Sequence, residues 1–135
     1  MDIFKSFDVS ASAMVAQKIR LNTIASNLAN ADTTRTPEGG PYRRRDVVFS
    51  SVLLDETRGL EGVRVVDVVE DNSPPRVIYS PGHPDADARG FVKMPNVNII
   101  EEMVNMMVAT RAYEANVNAF NITKAMYLKA LELGR

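Results

Sequence analysis

The sequence predicts an α+β protein, mainly α, in which long N- and C-terminal helices pack as an antiparallel coiled-coil pair around a small β-rich middle segment. Three observations carry that expectation. Apolar residues recur at helical spacing at both ends, turn-forming residues crowd into the middle, and short β-type runs lie between the turns. Residues 33–95 hold all seven prolines, six of the seven glycines and 19 of the 33 acidic and basic residues, whereas nine of the ten asparagines lie outside them. The chain of 135 residues therefore divides into an N-terminal helical segment (1–32), a loop and small β-rich middle domain (33–95) and a long C-terminal helix (96–135) paired with the first segment.

In the first segment Phe7, Ala11, Met14, Leu21, Ile24, Leu28 and Ala31 follow each other at three- and four-residue steps, with Lys18 as the one break. That pattern predicts an amphipathic helix of roughly 20 residues, about 30 Å long. Beside the stripe, Asn22, Ser26 and Asn30 stand at i, i+4 and i+8. Amides are mediocre helix formers, so this run needs partners. Asn30 and Asp32 can end a helix, but Asn22, Ser26 and Asn27 are left over. Amides bordering an apolar seam fix register, because a slipped register strands a buried amide at a cost of ~1–3 kcal/mol.

The middle shows β-type runs at "DVVFSSVLL", "GVRVVDVVE", "RVIYS" and "GFVKM". They predict three to five short strands, arranged as a small sheet or a hairpin pair supported by the helices. His83 in "PGHPDADARG" has Asp85 and Asp87 nearby. Pro81, Gly82 and Pro84 mark the stretch as a turn, where Asp bonds to the local backbone, and not as a metal or acid–base site.

In the last segment positions 99, 103, 106, 110, 113, 117, 120, 124, 127 and 131 read Ile, Met, Met, Thr, Tyr, Val, Phe, Lys, Tyr and Leu, and eight of the ten fit a heptad seam. The helix is expected from Val97 to Leu133, roughly 55 Å long, with Gly134 as its stop. Its other faces carry Val104, Met107, Val108, Ile122 and six alanines, with only eight charges among residues 96–135. More than one face must therefore be covered. The first helix can cover one, which leaves other molecules for the rest. Met103, Met106 and Met107, at helical spacing, read as packing residues.

Composition excludes several classes of function. A net charge of −1 provides no global field for nucleic acid, and the run Arg43-Arg44-Arg45 is followed at once by Asp46. Without cysteine there is no disulfide, thiolate metal site or thiol nucleophile. No run of ~18 apolar residues predicts a membrane span. Ala11-Ser12-Ala13 looks like a cleavage box, but Lys5 and Asp8 interrupt the segment before it, so no cleaved signal peptide is expected. No serine–histidine–aspartate set or glycine-rich phosphate loop has the context it needs. The chain is expected to be no enzyme, with no catalytic residue, cofactor or metal ligand.

"LNTIASNLANADT" near the start, paired with "MVNMMVATRAYEANVNAFN" near the end, resembles the terminal signature of the bacterial flagellar axial proteins, the rod, hook and hook-associated family. "YSPGHPDADARGFVKMPNVNIIEEMV" resembles the segment that marks the family's short proximal-rod type, and the length fits that type. The resemblance implies a non-catalytic subunit of the flagellar basal body. Such a subunit is exported through the flagellar secretion channel without a cleaved signal and built into a tubular, torque-transmitting shaft in the periplasmic space. Implied partners are copies of the chain, other rod proteins, the membrane-ring/rod adaptor and the export apparatus, with no nucleic acid.

On these residues the assembly interface is expected at Leu21, Asn22, Ile24, Ala25, Ser26, Asn27, Leu28 and Asn30 of the first helix. On the last helix it is expected at Met103, Met106, Met107, Arg111, Tyr113, Asn116, Val117 and Phe120. The competing readings are a generic coiled-coil homo-oligomerising adaptor and a metal-dependent enzyme at His83. An isolated monomer is expected to be protected mainly over residues 45–95 and the last helix, with Leu28 essential to assembly and Asn27 contributing on the order of 1 kcal/mol.

Overall fold

The computed structural model describes residues 3–135; the first two positions of the N-terminal segment lie outside the described residues. The elements follow in the order α1 (Ile3–Ala29), β1 (Arg45–Asp55), β2 (Leu60–Glu70), β3 (Arg76–Tyr79), β4 (Phe91–Met94) and α2 (Ile99–Leu133). Each of the four β-type runs becomes a strand. The strands pair as two separate antiparallel hairpins, β1 with β2 from Arg45↔Glu70 to Asp55↔Leu60, and β3 with β4 from Arg76↔Met94 to Tyr79↔Phe91.

The two helices run antiparallel. At one end the Phe4 and Tyr127 rings lie 5.7 Å apart and the Phe7 and Phe120 rings 4.6 Å apart; at the other, Asn27 meets Glu102. The stripe from Phe7 to Ala31 is buried or half-buried throughout, and Lys18 turns outward. Helix α1 is longer than its stripe suggests, at 27 residues. Asn98 caps α2 by accepting the N–H groups of Ile100 and Glu101, and the acids Glu101 and Glu102 follow in the first turn, where the helix dipole favours negative charge. Gly134 ends it.

The β1–β2 hairpin packs along a second side of α1. Lys5 pairs with Asp55 at the far end of the hairpin, the Val63 N–H donates to Ser12 Oγ at 3.1 Å midway, and Asn27 binds Arg45 at the near end. Lys5, followed by the Thr57 hydroxyl, holds the Asp55 carboxyl well below its usual range. An apolar groove of about 400 Å³ stays open between Val15 and Ile19 on α1 and Val52, Leu54, Val63 and Val65 on the hairpin. Helix α1 thus lies between α2 and the hairpin. This arrangement runs against the expectation that residues 45–95 and the last helix hold the protected part of a monomer. The hairpin strands are mostly exposed, and the first helix finds its cover within its own chain.

The heptad seam on α2 also needs correction. The face against α1 follows Glu102, Asn105, Met106, Ala109, Ala112, Tyr113, Asn116, Val117, Phe120, Thr123 and Tyr127, all buried or half-buried. Ile99, Met103 and Leu131 of the expected seam are exposed, as are Thr110 and Lys124. The steps follow a 3.6-residue period, and Ala109 at 0% exposure lets the helices approach closely. The large apolar residues Ile99, Met103 and Leu131 suggest a seam that α1 does not fill.

Gly62 is buried under α1. A Cβ there would stand 2.8 Å from Ser12 Oγ and 2.9 Å from Leu54 Cδ1. Gly62→Ala is expected to lose ~1–3 kcal/mol through this overpacking, read as a lower urea midpoint. A variant as stable as the parent would mean that the hairpin is not seated on α1.

Candidate functional site

The polar centre of the molecule is the Asn27 side chain, fully buried within α1. Its Nδ2 donates to the Arg45 carbonyl at 2.8 Å and to Glu102 Oε2 at 3.2 Å. Its Oδ1 accepts the Arg45 N–H at 2.9 Å and the Tyr42 hydroxyl at 2.9 Å. Both donors and both lone pairs of the amide are used. The two bonds to Arg45 are those a neighbouring strand would make, one acceptor for the N–H and one donor for the C=O, so the amide closes the first residue of β1. Aspartate lacks the donor, and an apolar residue lacks both.

A second amide holds the preceding residue. Asn96 Oδ1 accepts the Arg44 N–H at 2.7 Å, and its Nδ2 donates to the Asp71 and Ser73 carbonyls, each at 3.1 Å. The Arg44 side chain runs inward to the fully buried Glu102 carboxylate and has Asp46 at 3.4 Å and Asp71 at 3.8 Å. Burial alone would lower the Arg44 pKa; Glu102, then Asp46, outweigh it and raise it. Tyr42 packs with Ala31 and Val97 beneath this cluster, and the Arg45 guanidinium lies 5.8 Å above its ring.

The residues expected at the interface separate into two sets. Ile24 and Asn27 are buried, and Leu21, Ser26, Leu28, Asn30, Met106, Tyr113, Asn116, Val117 and Phe120 are half-buried inside the chain's own packing. Asn22, Ala25, Met103, Met107 and Arg111 face outward. Asn30 serves the helix end, donating to the Ser26 carbonyl at 2.9 Å and accepting the Thr33 hydroxyl at 3.1 Å. Sequence reasoning missed Tyr42, Arg44, Asn96 and Glu102. Glu102 carried no distinguishing signal, since acids at a helix start are ordinary; Arg44 was hidden inside a basic run.

The segment around His83 forms turns. The His83 N–H donates to the Ser80 carbonyl at 3.0 Å, the Ala86 N–H to the His83 carbonyl at 3.1 Å, and the Asp85 N–H to His83 Nδ1 at 3.0 Å. Asp85 accepts the Thr34 hydroxyl at 2.6 Å and pairs with Arg35, clamping this turn to the loop after α1. Among the described residues, no group of three or more His, Asp or Glu side chains is placed to hold a metal ion.

Two outcomes are expected. Asn27→Ala should cost on the order of 2–4 kcal/mol, above the 1 kcal/mol expected for one net bond, because it strands the Arg45 backbone, Tyr42 and Glu102 together. Tyr42→Phe should cost about 1 kcal/mol, and urea unfolding compares the two. The Thr34 hydroxyl, then Arg35, lower the Asp85 pKa, so its clamp contributes stability above the ordinary carboxylate value of about 4 and loses it as pH falls through the lowered folded value. Asp85→Asn should flatten the fall in Tm over that acid window. An unchanged slope would remove the clamp from the account.

Comparison with known proteins bears on both helices. Residues 7–35 match a family model described as flagella basal body rod protein, and residues 88–133 match one described as flagellar basal body rod FlgEFG protein C-terminal. The flagellar basal-body rod protein FlgC of Escherichia coli O6:H1 is 50% identical over 135 residues, covering 100% of both chains. The protein of that name from Salmonella typhimurium is 48% identical, and that from Bacillus subtilis 45%, each again covering 100% of both chains. With both terminal helices inside rod-family models and its full length matched, the chain belongs to the flagellar basal-body rod proteins of the FlgC type, a structural and non-enzymatic family.

Proposed function

We propose that the chain is a subunit of the proximal rod that assembles through its terminal helices, with copies of itself and other rod proteins, into a tubular shaft that transmits torque and encloses the export channel. In this reading it passes through the flagellar secretion channel without a cleaved signal and takes its place in the periplasmic space. There it meets the membrane-ring/rod adaptor and the export apparatus. Residues 1–32 and 96–135 form the assembling part, and residues 33–95 project from it.

The observation that carries this reading is the outer face of α2. Ile100, Met103, Val104, Met107 and Val108 near the start of the helix, and Ile122, Met126 and Leu133 near its end, are 53–87% exposed, with Arg111, Ala115 and Asn118 exposed between the two clusters. A monomer rarely leaves two such apolar clusters on one helix in water. The outward-facing Met103, Met107 and Arg111 lie in or beside the first, and Asn22 and Ala25 on the open side of α1 extend the assembling surface. Some of the expected interface residues belong instead to the chain's own packing, so Leu28→Asp would disturb the fold as well as assembly.

The cleaner test uses residues already exposed in the monomer. Val104→Asp with Val108→Asp should leave the unfolding free energy from urea titration within ~0.5 kcal/mol of the parent and abolish incorporation into rods in cells lacking the natural protein. The carboxylates would have to be buried unpaired at every subunit contact. Normal incorporation would refute the reading. A coiled-coil adaptor would instead saturate at two chains in sedimentation, whereas a head-to-tail contact that does not close keeps growing.

A further inference from the structure

The outer face of α2 contains a chemistry that packing alone does not require. Met103 and Met107 stand one helical turn apart among Ile100, Val104 and Val108, and are 56% and 65% exposed. Leucine would fill such a face equally well. The chain has seven methionines and no cysteine, so thioethers are its only oxidisable sulfurs. Met126 is also 63% exposed but has no second methionine within a turn, whereas Met94 is buried at 7% exposure and Met106 is half-buried against α1.

We infer that Met103 and Met107 form an oxidation-sensitive site whose conversion to sulfoxides prevents α2 from being buried in an assembly. In the step, the sulfur lone pair attacks one oxygen of a peroxide, the O–O bond breaks, and a sulfoxide S–O bond forms. The sulfur gives up two electrons, and the other peroxide oxygen leaves with both protons as water. The product is reversible by methionine sulfoxide reductases. A sulfoxide oxygen is a strong acceptor, and the neighbours on this face are aliphatic. On α2 itself the first cationic side chain after them, Arg111, already faces Glu114 at 3.4 Å. Burial of the oxidised face therefore leaves two acceptors unsatisfied, whereas the thioethers transfer from water freely.

The effect on assembly rests on the proposed function, so the test has two arms. Limiting hydrogen peroxide applied to the purified full-length chain, followed by peptide mass spectrometry, should show sulfoxide at Met103 and Met107 appearing several-fold faster than at Met94 and Met106. Equal rates would overturn the assignment. In cells, a Met103→Leu/Met107→Leu chain should enter the rod at the parental level, and a Met103→Gln/Met107→Gln chain, which carries a polar side chain of similar size, should fail to enter while keeping the parental circular dichroism. Incorporation of the glutamine pair would overturn the inference, as would failure of the leucine pair, which would make the thioether itself the requirement. If the Val104→Asp/Val108→Asp chain is excluded while the glutamine pair enters, this inference alone fails. If both enter, the proposed function fails with it.

Discussion

The architecture depends on one constraint: a strand begins where a helix crosses it, and the helix stands there in the place of a neighbouring strand. Each buried N–H or C=O left unpaired costs on the order of 1–3 kcal/mol, so the crossing is tolerable only if the helix supplies a donor and an acceptor at the spacing of a neighbouring strand. Asn27 supplies both to Arg45 and still has one bond each for Tyr42 and Glu102. The first helix, the start of the hairpin, the loop that holds Tyr42 and the beginning of the last helix thereby meet at one amide. Positions of these elements cannot be changed independently.

The Arg44–Glu102 pair belongs to the same logic. A buried ion pair adds little net stability against two apolar residues, because desolvation offsets most of the attraction. Its value here is positional. A shift of α2 by one turn, about 5.4 Å, would carry Glu102 away from both Asn27 and Arg44 and leave a charge without a partner. The aromatic contacts at the opposite end, Phe7 with Phe120 and Phe4 with Tyr127, tolerate small shifts. Register is set at the polar end, while the apolar end supplies contact area.

Much of the fold is legible in local pattern, and the failures share a cause. The strands were visible because valine-rich runs stand between turn residues, and α1's inner stripe because its period is regular. On α2 the pattern misleads: apolar residues occupy more than one face, so periodicity shows that the helix is covered on several sides without showing which side its own chain uses. The choice is made by small Ala109 and by Glu102, whose burial depends on residues 75 and 58 positions away. The amide run at the end of α1 announces a need for partners, but it is Asn27, one position away from the bordering residues, that carries the central role. Asn22 faces solvent. An i, i+4 count cannot distinguish an amide aimed at a strand from one aimed at water.

The sandwiching of α1 has a consequence for the order of events as the chain is made and moved. Helix α1 comes first in sequence, yet its two covers arrive later, one after residue 45 and the other after residue 99. The central amide bridges residues separated by as many as 75 positions, so no N-terminal fragment can satisfy it. Contacts of such long range form late and together, because loop closure costs entropy before it is rewarded. A partly emerged chain can seat the hairpin on α1, but it cannot complete the central amide cluster until the start of its last helix is free.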